Sequence, residues 1–289
     1  MFEERKINPE LLKQYREQGY WKNETLLDCW ERAAAQYPDR EYVVDDRGYR
    51  YTYRELDEAA GRVASYLMEL GIRPGEVVSY QFPIWSEFAM LTIACYKVGA
   101  VAHPIAMSYE EKELARSLNV TESRCYFGPT YFYKTDYEER ILAVRDQTPL
   151  LKDIVLIDSV KPAKSSVRLL REILASYEPL PKEQCVHTKN GQDIAVILCT
   201  SGTTGGTKGV LLSHDNVRFA EEAFNRELGL TKEDIMFMPA PLHHATGFHH
   251  AIIAPMLYGG KVVLQQKYQC RAAIDLMNRE KVTYSMGAT

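Results

Sequence analysis

The sequence lacks any close pair of cysteines. Its six cysteines are spread along 289 residues without a CxxC spacing, at Cys29, Cys95, Cys125, Cys185, Cys199 and Cys270. Disulfide frameworks and cysteine-based zinc sites both need closer or regularly spaced cysteines. The spacing therefore predicts buried, reduced thiols in a cytosolic protein and no metal site built on cysteine.

The sequence also has no apolar run long enough to cross a membrane. Its N-terminal segment, MFEERKINPELLKQYREQGYW, is charged throughout and contains no apolar core of a secretory signal. The longest stretch free of Asp, Glu, Lys and Arg extends from Ile235 to Gly260, but its unbroken apolar run is only Ala251 to Tyr258. A spanning helix needs about 20 apolar residues. We therefore predict no transmembrane segment and a cytoplasmic location.

Positive charge is not in excess, because 35 Lys and Arg stand against 39 Asp and Glu, for a formal net charge of −4. This balance excludes a globally basic nucleic-acid-binding protein, and we predict no nucleic-acid partner. With 46% hydrophobic and 26% charged residues, the chain is too apolar for disorder. It is also long enough to bury a large core.

Apolar periodicity alternates between helical and strand spacing along the chain. Thr52 with Glu55, and Ser108 with Glu111, have the spacing of capping boxes at helix starts. Strands that alternate with helices predict an α/β protein with largely parallel sheets flanked by helices. The polar segment 179–192, rich in Pro and Lys, predicts a linker between approximate lobes 20–180 and 191–289. The predicted helices lie near 26–37, 52–70, 86–98, 168–177, 214–228, 251 and 272–279.

The most informative segment is IAVILCTSGTTGGTKGV, residues 194–210. A buried strand leads into a loop of glycines and hydroxyl side chains that ends at Lys208. Glycines let backbone N–H groups face an anion, the hydroxyl groups donate hydrogen bonds, and the lysine adds positive charge. This chemistry suits a polyphosphate, although the segment fits neither GxxxxGK[ST] nor GxGxxG. A flexible surface loop is the alternative, which the apolar strand before it disfavours.

The segment TSGTTGGTKGV resembles the phosphate-binding signature [ST]SGTTGxPKGV of the AMP-forming adenylating enzymes. These include acyl-CoA synthetases, adenylation domains of peptide synthetases and luciferases. The sequence departs from the signature at Thr207, where the family usually has proline, a residue that would fix φ. The resemblance implies that ATP phosphates are bound by Thr200, Ser201, Gly202, Thr203, Thr204, Gly205 and Lys208.

A second segment, MPAPLHHATGF at residues 238–248, resembles the family motif PLxHxxG. The resemblance places His244, Thr246 and Gly247 at the wall of the acyl pocket. A metal site built from the histidines in and after this segment is the alternative. No acidic residue or cysteine lies among them in the sequence, so we predict no metal site.

The resemblance extends from about Thr25 to Thr289 and implies a partial AMP-binding domain over residues 1–289, incomplete at the C-terminus. In the family, the acid that helps hold Mg²⁺, the ribose-binding aspartate and the small C-terminal domain with its catalytic lysine come later in the chain. We therefore assign no catalytic residue within these 289 residues and expect the chain alone to be inactive.

The reaction that the resemblance implies has two halves. A carboxylate attacks the α-phosphorus of MgATP to give an acyl adenylate and pyrophosphate, and the thiol of coenzyme A then displaces AMP. ATP, Mg²⁺, coenzyme A and a small-molecule carboxylic acid are the implied partners. The apolar stretch Ala251 to Tyr258 favours a hydrophobic acyl or aryl group. Two alternatives stay open, an adenylation domain that serves a carrier protein and a non-catalytic nucleotide-binding remnant.

Overall fold

A computed structural model describes residues 8–188, 190–200 and 208–287 of the chain. Within these ranges helices and strands alternate, as the sequence predicted. The strands are β1 Glu41–Asp45, β2 Arg50–Thr52, β3 Val77–Tyr80, β4 Val101–Pro104, β5 Cys125–Pro129, β6 Tyr131–Phe132, β7 Thr135–Asp136, β8 Asp153–Ile157, β9 Arg168–Leu169, β10 Ile194–Thr200, β11 Lys208–Ser213, β12 Ile235–Met238, β13 Lys261–Leu264 and β14 Tyr284–Ser285. The α-helices are α1 Pro9–Glu17, α2 Leu26–Gln36, α3 Tyr53–Glu69, α4 Glu87–Lys97, α5 Glu111–Val120, α6 Tyr137–Ala143, α7 Leu170–Ser176, α8 His214–Leu228, α9 Ala254–Tyr258 and α10 Cys270–Glu280.

Among the described residues the larger sheet has seven strands in the order β11-β10-β4-β3-β5-β8-β9. All neighbouring pairs in it are parallel except β10 with β11, which are antiparallel. A second sheet has the order β14-β12-β13-β1-β2 and is parallel except for the hairpin of β1 and β2. The prediction of an α/β protein with largely parallel sheets is confirmed.

The centre of the core is helix α4, in which every residue is buried. Buried residues of both sheets join one hydrophobic cluster with it, so the two sheets pack through a shared core. Apart from Thr92 and the charged residues at its two ends, Glu87 and Lys97, the helix is hydrophobic on all faces, which is typical of such an enclosed position. Two short 3₁₀ turns, Arg145–Gln147 and Lys182–Gln184, and a π-helix, Gly247–Ile253, complete the described secondary structure.

The two predicted capping boxes have different outcomes. At α3, Thr52 Oγ1 accepts the Glu55 N–H at 3.1 Å and the Glu55 carboxylate accepts the Thr52 N–H at 2.8 Å, as predicted. The box of Ser108 with Glu111 is wrong, because α5 is capped by Glu110 without a side-chain hydrogen bond. Glu111 is then the first helical residue rather than the third, so its side chain cannot reach back to a cap.

Each of the two large sheets takes strands from both of the predicted lobes, 20–180 and 191–289, whereas the small sheet of β6 and β7 lies within the first. Strands β1 and β2 pair beside β13, and β10 pairs with β4, so the sheets do not follow that division of the chain. The lobe boundary itself stays a prediction. All six cysteines are free, as expected, but only four are buried, since Cys199 is half-buried and Cys270 is exposed.

None of the helices in the described ranges combines the length and the apolar character needed to span a bilayer.

Candidate functional site

The glycine-rich segment connects two paired strands. Thr200, the last residue of β10, lies opposite Lys208, the first residue of β11, and the Thr200 hydroxyl donates to the Lys208 carbonyl oxygen at 3.5 Å. Both residues are exposed. The sequence predicted the strand before the loop but missed β11, placing helix α8 next instead. The other predicted phosphate-binding residues, Ser201, Gly202, Thr203, Thr204 and Gly205, lie outside the described residues.

A fully buried histidine lies beneath the end of β10. His103 Nδ1 is 2.7 Å from the Ser79 hydroxyl, and its Nε2 is 3.3 Å from the Ser117 hydroxyl and 3.7 Å from Cys199 Sγ. Burial lowers the pKa of His103 to about 3. The imidazole is therefore neutral at physiological pH, and neutral hydrogen bonds support the strand that leads into the loop.

The second segment begins where β12 ends. The His244 N–H donates to the Pro241 carbonyl oxygen at 3.2 Å, and the Phe248 N–H donates to the His244 carbonyl oxygen at 2.8 Å. His244 is exposed, Thr246 is half-buried and Gly247 is buried. A Cβ atom on Gly247 would lie 2.2 Å from the Pro241 carbonyl oxygen, so this close backbone packing requires glycine.

The imidazole beside His244 is less accessible. The ring centroids of His243 and His244 are 4.5 Å apart. Burial, together with the charge of the neighbouring imidazole, lowers the pKa of His243 to about 4. His243 is therefore neutral near pH 7, whereas the exposed position of His244 leaves its ring accessible to a ligand.

Thr200 and the PLHHATGF segment each lie at the carboxyl end of a parallel strand. Parallel pairing places the carboxyl end of β10 beside those of β4 and β3, and the carboxyl end of β12 beside that of β13. Trp85, which follows β3, donates its indole N–H to the side chain of Gln266, which follows β13. Open α/β sheets bind ligands outside the carboxyl ends of their strands. Thr200 and the PLHHATGF segment therefore both lie where such folds bind ligands, and their joint role in one site stays a prediction.

The fold also supplies an acidic residue that the sequence analysis missed. Glu221 in α8 is 2% exposed, and its two carboxylate oxygens each lie 3.0 Å from an imidazole Nδ1, one of His249 and one of His250. Acidic residues are absent near these histidines in the sequence, but the fold brings one acidic residue, Glu221, into contact with two of the histidines. Even so, the described ranges contain no group of three or more His, Cys, Asp or Glu side chains arranged to hold a metal ion.

Comparison with known proteins shows which family the chain belongs to. The sequence model of the AMP-binding enzyme family matches residues 30–289. A medium-chain fatty-acid–CoA ligase of Escherichia coli strain K12 is 40% identical over 95% of this chain and 48% of its own length. A 2,3-dihydroxybenzoate-AMP ligase of Bacillus subtilis strain 168 is 27% identical over 95% of this chain and 49% of its own. The chain thus spans about half the length of these relatives.

Solved structures support the same fold. The apo structure of Mycobacterium smegmatis MbtA superimposes with a TM-score of 0.86 and 24% identity, covering 96% of this chain and 51% of that one. A complex of the anthranilate CoA ligase AuaEII with anthranoyl-AMP gives a TM-score of 0.81 with 22% identity, covering 90% of this chain and 49% of that one. At such identities the likeness concerns the fold, and the family follows from the sequence match over residues 30–289. The chain belongs to the AMP-binding enzyme family.

Proposed function

We propose that this chain supplies the ATP-phosphate and acid-binding part of an acyl-CoA ligase. The protein activates a carboxylic acid as an acyl-AMP intermediate and then forms a thioester with coenzyme A. The observation that carries the proposal is that Thr200 ends β10 opposite Lys208 and that the PLHHATGF segment follows β12, so that both lie at the carboxyl ends of parallel strands. The match to a CoA ligase at 40% identity supports it from sequence.

In this proposal Lys208 and Thr200 contact the phosphates of ATP. Thr200 and Lys208 lie opposite each other and both residues are exposed, so a ligand in solution can reach them. Charge-assisted hydrogen bonds to phosphate oxygens offset the negative charge that shifts onto pyrophosphate as the bond to the α-phosphorus breaks. The two side chains bind and orient ATP; the attacking group is the substrate carboxylate.

His244, Thr246 and Gly247 form part of the acyl-pocket wall in this proposal. Beyond them Ala251, Ile252 and Ile253 of the π-helix are buried in the hydrophobic core, which anchors this wall from behind. The substrate class is a medium-chain fatty acid, as the 40% identity to the medium-chain fatty-acid–CoA ligase of E. coli suggests. Mg²⁺ would reach the site with ATP, where it neutralises phosphate charge, and the protein would act in the cytoplasm.

The first experiment measures acid-dependent exchange of pyrophosphate into ATP by the full-length protein. Straight-chain fatty acids of increasing length are compared with 2,3-dihydroxybenzoate, and CoA is compared with a phosphopantetheinylated carrier protein as acceptor. Exchange with medium-chain acids and transfer to CoA is the expected result. Transfer to the carrier protein alone would favour an adenylation domain, and no exchange with any acid would favour a non-catalytic nucleotide-binding protein.

Lys208→Ala tests the phosphate contact directly. Loss of one charge-assisted contact, worth about 1.5–3 kcal/mol, should lower kcat/KM for ATP by roughly 10- to 150-fold. The matched control is Lys13→Ala, which removes an exposed lysine from α1. Equal kcat/KM for ATP in the two variants would remove Lys208 from the site.

A further inference from the structure

Glu221, His249 and His250 form one hydrogen-bonded cluster, which we call the Glu221 clamp. Burial alone would raise the pKa of the Glu221 carboxyl, but hydrogen bonds from the two histidines outweigh burial and leave that pKa below its ordinary value. The carboxylate is therefore ionised, and each imidazole donates its Nδ1–H to one oxygen. A buried carboxylate with both oxygens paired is held firmly, because losing a partner would leave a charge without compensation.

The helix type explains how two consecutive residues reach one carboxylate. His249 and His250 both lie in the π-helix Gly247–Ile253. Consecutive side chains point 100° apart around an α-helix, and the wider π turn brings them closer to one direction. The ring of Phe224, in the same helix as Glu221, stacks on His250 with centroids 4.1 Å apart. π-Helical turns are rare and frequently occur at functional sites.

The histidines of the clamp follow the PLHHATGF segment directly in the chain. Thr246 precedes the π-helix as its cap, and the Phe248 N–H closes the turn onto the His244 carbonyl oxygen at 2.8 Å. At the other end of the same region, the Asn225 side-chain amide donates to the Ala254 carbonyl oxygen at 3.1 Å. Helix α8 therefore contacts the π-helix at His249 and His250 and the residue after it at Ala254, and one backbone hydrogen bond links the start of the π-helix to His244.

We propose that the Glu221 clamp is a positioning cluster that fixes the wall of the acid-binding pocket, so that it sets the affinity for the carboxylic acid and not for ATP. The inference rests on the proposed function. Glu221 acts through the π-helix, because its carboxylate is fully occupied by the two imidazoles. The phosphate-binding residues belong to the β10–β11 hairpin of the other sheet, and Glu221 lies about two turns into α8 from the end of β11, so we expect the affinity for ATP to be independent of the clamp.

The test compares KM for the acid with KM for ATP in the full-length protein. Glu221→Ala should raise KM for the acid by about 10-fold or more, with KM for ATP changed by less than about two-fold. Asn carries an amide nitrogen where histidine has Nδ1, so His250→Asn keeps a donor to Glu221, whereas His250→Leu removes it. His250→Asn should therefore retain most of the acid affinity that His250→Leu loses. Glu227→Gln, an exposed position on the same helix, is the control.

A second measurement is independent of activity. Two-bond ¹⁵N–¹H spectra of histidine-labelled protein should show two imidazoles that carry their proton on Nδ1, and Glu221→Ala should abolish that signature. An active wild-type protein with an unchanged KM for the acid in Glu221→Ala and His250→Leu would overturn the inference, as would equal rises in both KM values. Failure of the proposed function is distinct from these results, because the wild-type protein would then show no acid-dependent exchange at all.

Discussion

Histidines lie beneath both segments of the candidate site, but the two regions hold them in opposite ways. Beneath the β10–β11 hairpin, His103 is fully buried among hydroxyl groups and neutral. Beneath the PLHHATGF segment, His249 and His250 are partly exposed and donate to the ionised Glu221. The first region relies on neutral hydrogen bonds that acid would break. The second relies on a buried carboxylate and on close backbone packing at Gly247.

Because of this difference, we expect the His103 region and the PLHHATGF region to lose stability under different perturbations. A neutral network is sensitive to the protonation of its one basic group, since a buried imidazolium ion has no counter-charge among hydroxyl groups. A close-packed turn is sensitive to added volume, because backbone atoms cannot move aside as a flexible side chain can. Adding volume and lowering the pH are therefore the sharpest ways to separate the two regions.

The largest effect is expected from added volume at Gly247. In Gly247→Ala the new methyl group would meet the Pro241 carbonyl oxygen at 2.2 Å and Leu242 Cα at 2.7 Å, both backbone atoms. We expect a loss of about 3 kcal/mol or more in the free energy of unfolding, measured by urea titration.

Gly209→Ala is the matched substitution beside Lys208. Its methyl group would meet only the Ile197 side chain, at 3.0 Å. Since glycine in a strand interior is itself unfavourable by roughly 0.5–1 kcal/mol relative to alanine, the change should cost less than about 1 kcal/mol. Equal losses for Gly247→Ala and Gly209→Ala would show that the two regions do not differ in packing.

The secondary structure around the candidate site can be predicted in large part from local sequence patterns. Helix α8 begins at His214 and ends at Leu228, as predicted, because Ser213 caps its start and Gly229 ends it in the left-handed conformation. Local patterns do not predict an element whose conformation depends on its contacts with other parts of the chain. Strand β11 was missed because Lys208, Gly209 and Val210 are exposed and show no buried face, and antiparallel pairing with β10 is what makes them a strand.

The Glu221 clamp could not be found from the sequence for a related reason. Glu221 and His249 are separated by 28 positions along the chain, and their contact depends on how α8 packs on the π-helix. The apolar spacing around Ala251 predicts a helix there, but it does not distinguish a π turn from an α turn. The one sequence feature that indicates the clamp is the pair of adjacent histidines. In an α-helix their side chains would point about 100° apart, so they would not share one partner.

A smaller effect is expected from the protonation of His103. In the unfolded chain an imidazole has a pKa near 6.5, whereas in the folded protein the pKa of His103 is about 3. As the pH falls from about 7.5 to about 5, the unfolded chain takes up a proton that the folded protein does not, so acid favours unfolding. The stability lost through this residue over that interval is about 2 kcal/mol.

His103→Asn should remove that part of the loss. The variant lacks the basic group, so the difference between its unfolding free energies at the two pH values should be about 2 kcal/mol smaller than in the wild-type protein. Ser79→Ala is the control, because it removes a hydrogen-bond partner of His103 but leaves the imidazole buried. An undiminished pH dependence in His103→Asn would mean that the folded protein already accommodates the proton.

The smallest effect is expected at Cys199, which lies between His103 and the loop. Its Sγ is 3.7 Å from His103 Nε2, and a thiol is a weak hydrogen-bond donor, whereas the Ser117 hydroxyl lies closer to the same nitrogen at 3.3 Å. Cys199→Ala should therefore cost less than about 1 kcal/mol, while Ser79→Ala, which leaves buried polar groups without a partner, should cost about 1–3 kcal/mol. Urea unfolding at neutral pH measures both, and kcat/KM for ATP should be unchanged in Cys199→Ala. A loss at Cys199 as large as that at Ser79 would show that the sulfur contributes as much as the Ser79 hydroxyl to the support of the end of β10.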